Sequence, residues 1–361
     1  MRLQYQAMSR KFISNPWTSV PHGHARTELN SLKNLIKQNS HECSIISESK
    51  DFGDILVTRS THSFESRIFL RNPFYTLQRY WIIYFYFRET IEKFRQIAKP
   101  GDDLIFSSVN FEQFVVSSIF FSKEKLSLRV FNCPEKNLSL LKRKILRMFL
   151  HRSNCKIATE TNEITKWFNA NLDLKTDIVP PLNLLKHQKG TYSRANKHGE
   201  EFVIGLLYPV TSTVDQDELI DILDTFKGEI VRIKFPAGVS ISNVEGNYEI
   251  IENGLSDDKF NSFLDTLDVV ILMNHRYINR GSGLLTLCIS LGKLIYVFKD
   301  NNFTDSYAHS YPLRIVENSK ELKENFLNKG FSDIDMTELE ARSLKFLNEV
   351  EVKWEGFLNV R

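Results

Sequence analysis

Short apolar strands alternate with amphipathic helices along most of the chain, and this alternation constrains the fold more than any other feature. In the first half, the strand "DDLIFSSV" is followed by the helix "NFEQFVVSSIFF" and the strand "LSLRVFN". In the second half, "DVVILMN", "SGLLTLCISLG" and "KLIYVF" repeat the order. Strands joined by helices run parallel through right-handed crossovers, so helices cover both faces of the sheet. The pattern predicts the α/β class with doubly wound sheets.

The alternation is interrupted once, by "PPLNLLKHQKGTYSRANKHGEE", which contains Pro, Gly and Lys and has no apolar periodicity. A chain of 361 residues also exceeds the size at which a single core usually grows. We therefore predict two Rossmann-like domains that face a central cleft, residues 1–185 and 201–361, joined by a linker at 186–200. The last helix can pack back on the first domain.

Charge and hydropathy exclude several classes of protein. A net charge of +3 is too small to make the whole surface a polyanion binder, and no nucleic-acid partner is expected. The four cysteines are scattered, which disfavours a zinc site and a disulfide framework. The N-terminus lacks the apolar run of a signal peptide, and Arg79 and Arg88 interrupt the most apolar segment before it could span a bilayer. A cytoplasmic protein is expected.

A cationic loop follows the strand "DVVILM" and precedes a buried helix. Ligands of open α/β sheets bind beyond the carboxyl ends of strands, and a helix N-terminus presents free N–H groups to phosphate. Arg276 and Arg280 add bidentate positive charge there. The motifs of P-loop NTPases and dinucleotide-binding dehydrogenases are absent. The loop favours a diphosphate site, although its glycines could simply turn the chain and its arginines could be solvated.

The residues from Asn247 to Phe298 resemble the donor domain of GT-B glycosyltransferases. The resemblance rests on an element ending in Gly254, the helix start "LSDD", the strand end "DVVIL" and the Gly292–Lys293 step before the next strand. More specifically, "NHRYINRGSGLLTLCISLGKLIYVFKDNNF" is similar to the N-acetylfucosaminyl (Fuc4NAc) transferases that extend lipid-linked enterobacterial common antigen.

This resemblance implies a nucleoside-diphosphate sugar as the donor substrate and no separate cofactor. The phosphates and sugar would lie against the cationic loop, the nucleobase near Asn253 to Ser256, and the loop "LYPVTST" would close over the donor. Lys234 would offset the charge of the leaving diphosphate, or it could be a surface lysine at a strand end. The implied donor-binding residues are Asn274, Arg276, Tyr277, Arg280, Gly281, Ser282, Gly283, Lys234, Thr211, Ser212, Gly254 and Leu255. No metal ion is expected, because the cationic loop and the helix N-terminus can stabilise the diphosphate.

The sequence departs from the retaining GT-B families at one motif. Those families carry Glu-x7-Glu at this loop and helix, and alignment on Gly292 places Asn279 and Leu287 at the two positions. The missing carboxylate pair favours an inverting mechanism.

An inverting transfer needs a general base that deprotonates the acceptor hydroxyl, usually from the N-terminal domain. His24 and Glu112 are the first candidates, since both follow a predicted strand. His22, Glu28 and Glu160 are further candidates of the same kind. Each could instead be structural, as a helix cap or a partner of the helix dipole.

Two segments of the first half combine aromatic or apolar residues with basic ones. One is Asn72 to Lys99, and the other is "LLKRKILRMFLHR". Such helices can lie in the headgroup region of an anionic membrane. The alternative is that the aromatic residues are core and the charges are solvated.

Taken together, these patterns predict a glycosyltransferase that acts on a lipid-linked bacterial surface glycan, with peripheral contact to the inner face of the cytoplasmic membrane. A nucleotide-sugar 2-epimerase shares the two-domain plan and would turn over donor without an acceptor. A non-catalytic scaffold subunit of a polysaccharide assembly complex would bind no nucleotide.

Overall fold

A computed structural model describes residues 9–16, 24–49, 53–57, 75–182, 203–208, 216–234, 248–251, 257–273, 283–298, 307, 311–329 and 336–360. These residues fall into two compact units. The first unit holds the described residues up to Leu182 and those from Val350 on, and the second holds those in between. The predicted linker, 186–200, lies outside the described residues.

The first unit contains a seven-stranded parallel sheet with the spatial order β3-β2-β1-β4-β5-β6-β7. Its strands are β1 (Lys11–Ser14), β2 (Cys43–Ser47), β3 (Ile55–Leu56), β4 (Asp103–Val109), β5 (Leu126–Val130), β6 (Lys156–Thr159) and β7 (Asp177–Ile178). Its helices are α1 (His24–Gln38), α2 (Tyr75–Ile97), α3 (Phe111–Phe120), α4 (Leu140–Leu150) and α5 (Asn162–Leu172). Helix α2 packs on α3, α3 on α4 and α4 on α5, so these four helices form one continuous layer.

Aromatic side chains fill the core between this helix layer and the sheet. The ring centroids of Phe87 in α2 and Phe106 in β4 are 4.5 Å apart, and those of Phe114 in α3 and Phe168 in α5 are 5.0 Å apart. All four rings are fully buried. Burial of each ring stabilises the unit by roughly 1.5–3 kcal/mol, which ties both ends of the layer to the same core.

The second unit contains a six-stranded parallel sheet with the order β10-β9-β8-β11-β12-β13. Its strands are β8 (Val203–Leu207), β9 (Ile230–Lys234), β10 (Tyr248–Ile251), β11 (Val269–Leu272), β12 (Leu294–Phe298) and β13 (Arg314–Val316). The helices that follow β7 in the chain are α6 (Gln216–Thr225), α7 (Asp257–Asp265), α8 (Gly283–Ser290), α9 (Ser319–Lys329) and α10 (Met336–Leu358). Both sheets confirm the predicted α/β class.

The central strands of the second unit and the helix between them are buried. Every residue of β11 and β12 is buried, and so is α8 from Leu285 to Ser290. Gly292 ends this helix turn with a positive φ of 62°, a conformation that costs glycine nothing and that lets the chain reverse into β12. In β8, a Cβ added at Gly205 would lie 2.4 Å from Leu267 Cδ1, so a larger residue here would displace the buried Leu267 side chain.

Helix α10 contributes to both units. In the second unit, Ser343 Oγ donates a hydrogen bond of 3.1 Å to the carbonyl oxygen of Ser290. In the first unit, Trp354 is fully buried and its Nε1 donates a hydrogen bond of 2.8 Å to the carbonyl oxygen of Pro180. Lys156 Nζ donates to the carbonyl oxygen of Phe357 at 2.8 Å, which satisfies one of the free carbonyls at the end of the helix.

Candidate functional site

Each sheet has one topological switch point, where the order of the strands reverses. In the first unit it lies between β1 and β4, and in the second unit between β8 and β11. Crossover loops leave in opposite directions from the carboxyl ends of the two strands, and this opens the crevice in which α/β proteins bind ligands. The residues that follow these four strands therefore define the candidate site of each unit.

In the second unit, most of the predicted donor residues belong to the segments after these two strands; Lys234 instead ends β9, and Gly254 and Leu255 follow β10. The segment 209–215, with Thr211 and Ser212, follows β8, and the segment 274–282 follows β11. These two segments and Gly254 and Leu255 lie outside the described residues, so Asn274, Arg276, Tyr277, Arg280, Gly281 and Ser282 do as well. The frame around them is described: β11 ends at Leu272, and α8 begins at Gly283. One connecting segment thus separates the N-terminus of α8 from the carboxyl end of β11, a strand of the switch point.

Lys234 is the last residue of β9, the neighbour of β8 in the sheet. It is partly buried, and its Nζ lies 5.7 Å from the centre of the Phe260 ring, within the range of a cation–π interaction. Burial lowers the pKa of Lys234 below that of an ordinary lysine. A partly desolvated cation at the carboxyl edge of the sheet can stabilise a phosphate more strongly than a fully hydrated one.

In the first unit, the two preferred base candidates follow the two strands of the switch point. His24 is the first residue of α1, which follows β1, although its side chain lies outside the described part. Glu112 lies in the first turn of α3, which follows β4. A capping box fixes the start of α3: the Asn110 side chain accepts from the N–H of Gln113, and the Gln113 side chain accepts from the N–H of Asn110, both at 2.8 Å.

Glu112 remains in reach of solvent. Its Oε2 lies 2.6 Å from Nε of Arg79 in α2, and the two side chains are 33% and 34% exposed. Partial burial raises the pKa of Glu112 above its ordinary value, and the charge of Arg79 opposes that rise. A carboxylate that is both accessible and more basic than usual suits proton abstraction.

Glu28 and Glu160, two further candidates, belong to a buried ion cluster instead. Arg129 in β5 donates from Nη1 to Glu160 Oε2 at 2.9 Å, forms a very short ion pair with Glu28, and donates from Nε to the carbonyl oxygen of Ser107 at 2.6 Å. All three charged side chains are at most 5% exposed. Both carboxylates are therefore shielded from solvent.

Burial raises the pKa of Glu28 to about 7; Arg129 opposes this effect and Glu160 adds to it. The cluster is closed by Trp354 of α10, whose ring centre lies 5.4 Å from Cζ of Arg129. Sequence reasoning missed Arg129. Its signal was a guanidinium within the otherwise apolar strand "LSLRV", which needs a buried acidic partner.

Two kinds of feature are absent from the described residues. No helix among them is long and apolar enough to cross a membrane. No three His, Cys, Asp or Glu side chains among them are grouped as metal ligands would be.

Solved structures that match nearly the whole chain include glycosyltransferases. A glycosyltransferase from Rickettsia africae ESF-5 is 14% identical and superposes with a TM-score of 0.61 over 98% of both chains. WaaG, a glycosyltransferase involved in lipopolysaccharide biosynthesis, is 10% identical, with a TM-score of 0.52 over 97% of this chain and 98% of its own. A structure described as "Trehalose-6-phosphate from E. coli bound with UDP-2-fluoro glucose" is 8% identical, with a TM-score of 0.62 over 97% of both chains.

These similarities confirm the predicted fold: the chain has the GT-B architecture of two parallel-sheet α/β domains. No family model matches the sequence, and no curated protein matches it. The narrower resemblance to the Fuc4NAc transferases stays a prediction.

Proposed function

We propose that the protein is a glycosyltransferase that moves a sugar from a nucleoside-diphosphate donor to a lipid-linked glycan. One observation carries this proposal: the segments 209–215 and 274–282 follow the two strands of one switch point, and His24 and Glu112 lie in the first turns of the helices that follow the two strands of the other. We propose that the two segments bind the donor diphosphate and that one of the two side chains is the base, because ligands of open α/β sheets bind beyond the carboxyl ends of the strands.

The structural neighbours support the same chemistry. One of them is bound with UDP-2-fluoro glucose, a nucleotide sugar, and another takes part in lipopolysaccharide biosynthesis. From these two descriptions we infer a nucleotide-sugar donor and a surface-glycan acceptor for this chain. We place the protein in the cytoplasm, where nucleotide sugars serve as donors, with peripheral contact to the membrane.

The proposed step is a direct displacement at the anomeric carbon. The acceptor hydroxyl loses its proton to the base, and its oxygen bonds to the anomeric carbon while the bond from that carbon to the diphosphate oxygen breaks. The electron pair leaves with the diphosphate. Arg276, Arg280 and the N-terminus of α8 would hold the departing charge without a metal ion. The missing Glu-x7-Glu pair favours inversion at the anomeric carbon.

Thermal unfolding in the presence of UDP, TDP or GDP tests the donor assignment. A nucleotide that binds only the native state at about 100 times its Kd adds about 2.7 kcal/mol to the free energy of unfolding. We expect one of the three to raise the Tm of the native sequence, and Arg276→Ala or Arg280→Ala to abolish the rise. A Lys320→Ala variant, altered in α9, is the matched control and should keep it.

The outcomes separate the alternatives. Stabilisation retained in both arginine variants would refute the phosphate site. No stabilisation by any nucleotide would favour the scaffold, and conversion of a donor sugar in the absence of acceptor would favour the epimerase. Product formation that requires a lipid-linked acceptor would support the transferase.

A further inference from the structure

Helix α4 has more large apolar side chains exposed to solvent than buried in the core of the first unit. Only Leu146 and Leu150 of the helix are buried hydrophobic residues. On the outside, four large apolar side chains face solvent: Leu140 is 77% exposed, Leu141 69%, Ile145 42% and Met148 46%. Such a concentration on a single helix of eleven residues marks an interaction surface, because scattered exposed leucines are common but clusters are not.

These residues form a stripe with basic borders. Leu141, Ile145 and Met148 are spaced i, i+4 and i+7, which places them along one side of the helix. The segment 140–152 contains no acidic residue and carries five basic ones, Lys142, Arg143, Lys144, Arg147 and Arg152. Within the described residues, none of these five pairs with a carboxylate. An apolar stripe bordered by unneutralised cations is complementary to an anionic bilayer, in which acyl chains lie beneath phosphate.

The neighbouring helices α2 and α3 add exposed aromatic residues to the same helix layer. Trp81 and Phe85 of α2 stack at 5.9 Å, and Tyr84 meets Phe120 of α3 edge-on at 5.2 Å. Trp81 is 53% exposed, Phe85 47% and Phe120 61%. Because α2 packs on α3 and α3 on α4, this aromatic cluster and the α4 stripe belong to the same helix layer. Trp and Tyr favour the membrane interface, where an apolar ring and a polar tip are both satisfied.

The structure also narrows the sequence-based expectation for α2. Ile83, Tyr86 and Phe87 are core residues, so only part of the aromatic segment is available to a partner. Its charges are largely engaged as well: Arg79 pairs with Glu112, and Arg88 pairs with Glu92. The unneutralised positive charge of the layer is therefore concentrated on α4.

We infer that the outer faces of α4, α2 and α3 form a docking surface for an anionic lipid bilayer. The α4 stripe and the aromatic cluster enter the boundary between headgroups and acyl chains, and the lysines and arginines of α4 contact lipid phosphates. Docking requires neither donor nor acceptor, so this inference stands or fails separately from the proposed transferase activity.

Sedimentation with vesicles tests the inference on the full-length chain. We expect the protein to bind vesicles of mixed phosphatidylcholine and phosphatidylglycerol more tightly than pure phosphatidylcholine, and to be released by salt. Leu141→Glu/Ile145→Glu should weaken binding at least about tenfold, and Lys142→Gln/Lys144→Gln should weaken it by about tenfold or more, since each basic residue near an anionic surface contributes about 1 kcal/mol.

The matched control is Leu344→Glu/Val352→Glu, which alters two equally exposed residues of α10, 51% and 48% exposed, and should leave binding unchanged. Trp81 supplies a local probe: its fluorescence should shift to the blue on mixed vesicles, and Trp81→Phe should remove that shift. All variants should keep the Tm of the native sequence.

Two results would overturn the inference. One is binding that ignores phosphatidylglycerol and survives both α4 variants. The other is a dimer in analytical ultracentrifugation that Leu141→Glu/Ile145→Glu dissociates, with no vesicle binding at any stage, because a second copy of the chain would then cover this surface.

Discussion

The two sheets share one strand order around the switch point but differ in the charged residues that the chain carries next to it. Behind the switch point of the first sheet, two carboxylates share a single guanidinium, and Glu112 stands nearer to solvent. Beside the switch point of the second sheet, Lys234 is partly buried, and the following loops carry Arg276 and Arg280. The parallel α/β frame thus determines where a ligand binds, and the residues beyond each strand determine whether that place suits a base or a diphosphate.

The largest effect is expected from removing the accessible carboxylate of Glu112. We expect Glu112→Gln to lower kcat about 10²–10⁴-fold, the usual contribution of general acid–base catalysis, with little change in Tm. The acidic limb of the pH–rate profile, which follows the raised pKa of Glu112, should disappear. Glu92→Gln, which alters an exposed ion-paired carboxylate of α2, is the control. Normal turnover by Glu112→Gln would show that Glu112 is not the general base. His24 would then be the candidate, and His24→Asn should show the loss of kcat.

Removal of the shared guanidinium should unfold the first unit more easily. Arg129→Met leaves Glu28 and Glu160 buried without compensation, so the free energy of unfolding should fall by about 3–5 kcal/mol in urea. Adding Glu28→Gln and Glu160→Gln to the same chain should restore most of it. Arg342→Met, at an exposed pair in α10, should change nothing measurable. If Arg129→Met kept the stability of the native sequence, Arg129 would not be needed to compensate the buried charges of Glu28 and Glu160.

The pH dependence of stability follows from Glu28. Its pKa is raised from 4.5 to about 7, so between these values the folded chain holds a proton that the unfolded chain has lost. Stability from this group is therefore greatest below about pH 4.5, falls as pH rises through the window, and levels off above about 7. The change is on the order of 3 kcal/mol. Glu28→Gln should remove this component from urea titrations across the window; an unaltered profile would show that Glu28 is ionised throughout.

The smallest effect is expected at the cationic edge of the second sheet. Lys234→Met should lower kcat/KM for the donor about tenfold, the size of a hydrogen bond to a charged group of ~1.5 kcal/mol, while Tm stays unchanged. Lys227→Met, in the same unit but paired with Asp224 on the surface, serves as control. Equal effects of the two substitutions on kcat/KM would show that Lys234 does not contact the donor.

Local sequence patterns determined most of the secondary structure. The apolar runs of β11, α8 and β12 and the Gly292–Lys293 step predicted a strand, loop, helix and strand in that order, and the two strands and the helix are present. The prediction succeeded because alternation, apolar run length and a glycine after a helix act over a few residues. The segments that follow β8 and β11 could be predicted as ligand loops for the same reason, since a carboxyl strand end is a local feature.

Only the tertiary structure decided which distant residues meet. Glu28, Arg129 and Glu160 are separated by 101 and 31 positions. They come together because Glu28 lies in α1, which follows β1, and the strand order places β1, β4, β5 and β6 side by side. Likewise, Tyr86 is buried while Trp81 is exposed, although both belong to one aromatic segment. Periodicity along a chain specifies the faces of an element, but the order of strands and the packing of helices decide what each face meets. The sequence therefore predicted a donor loop, whereas only the fold showed that Glu28 and Glu160, two candidate bases, pair with Arg129 in a buried ion cluster.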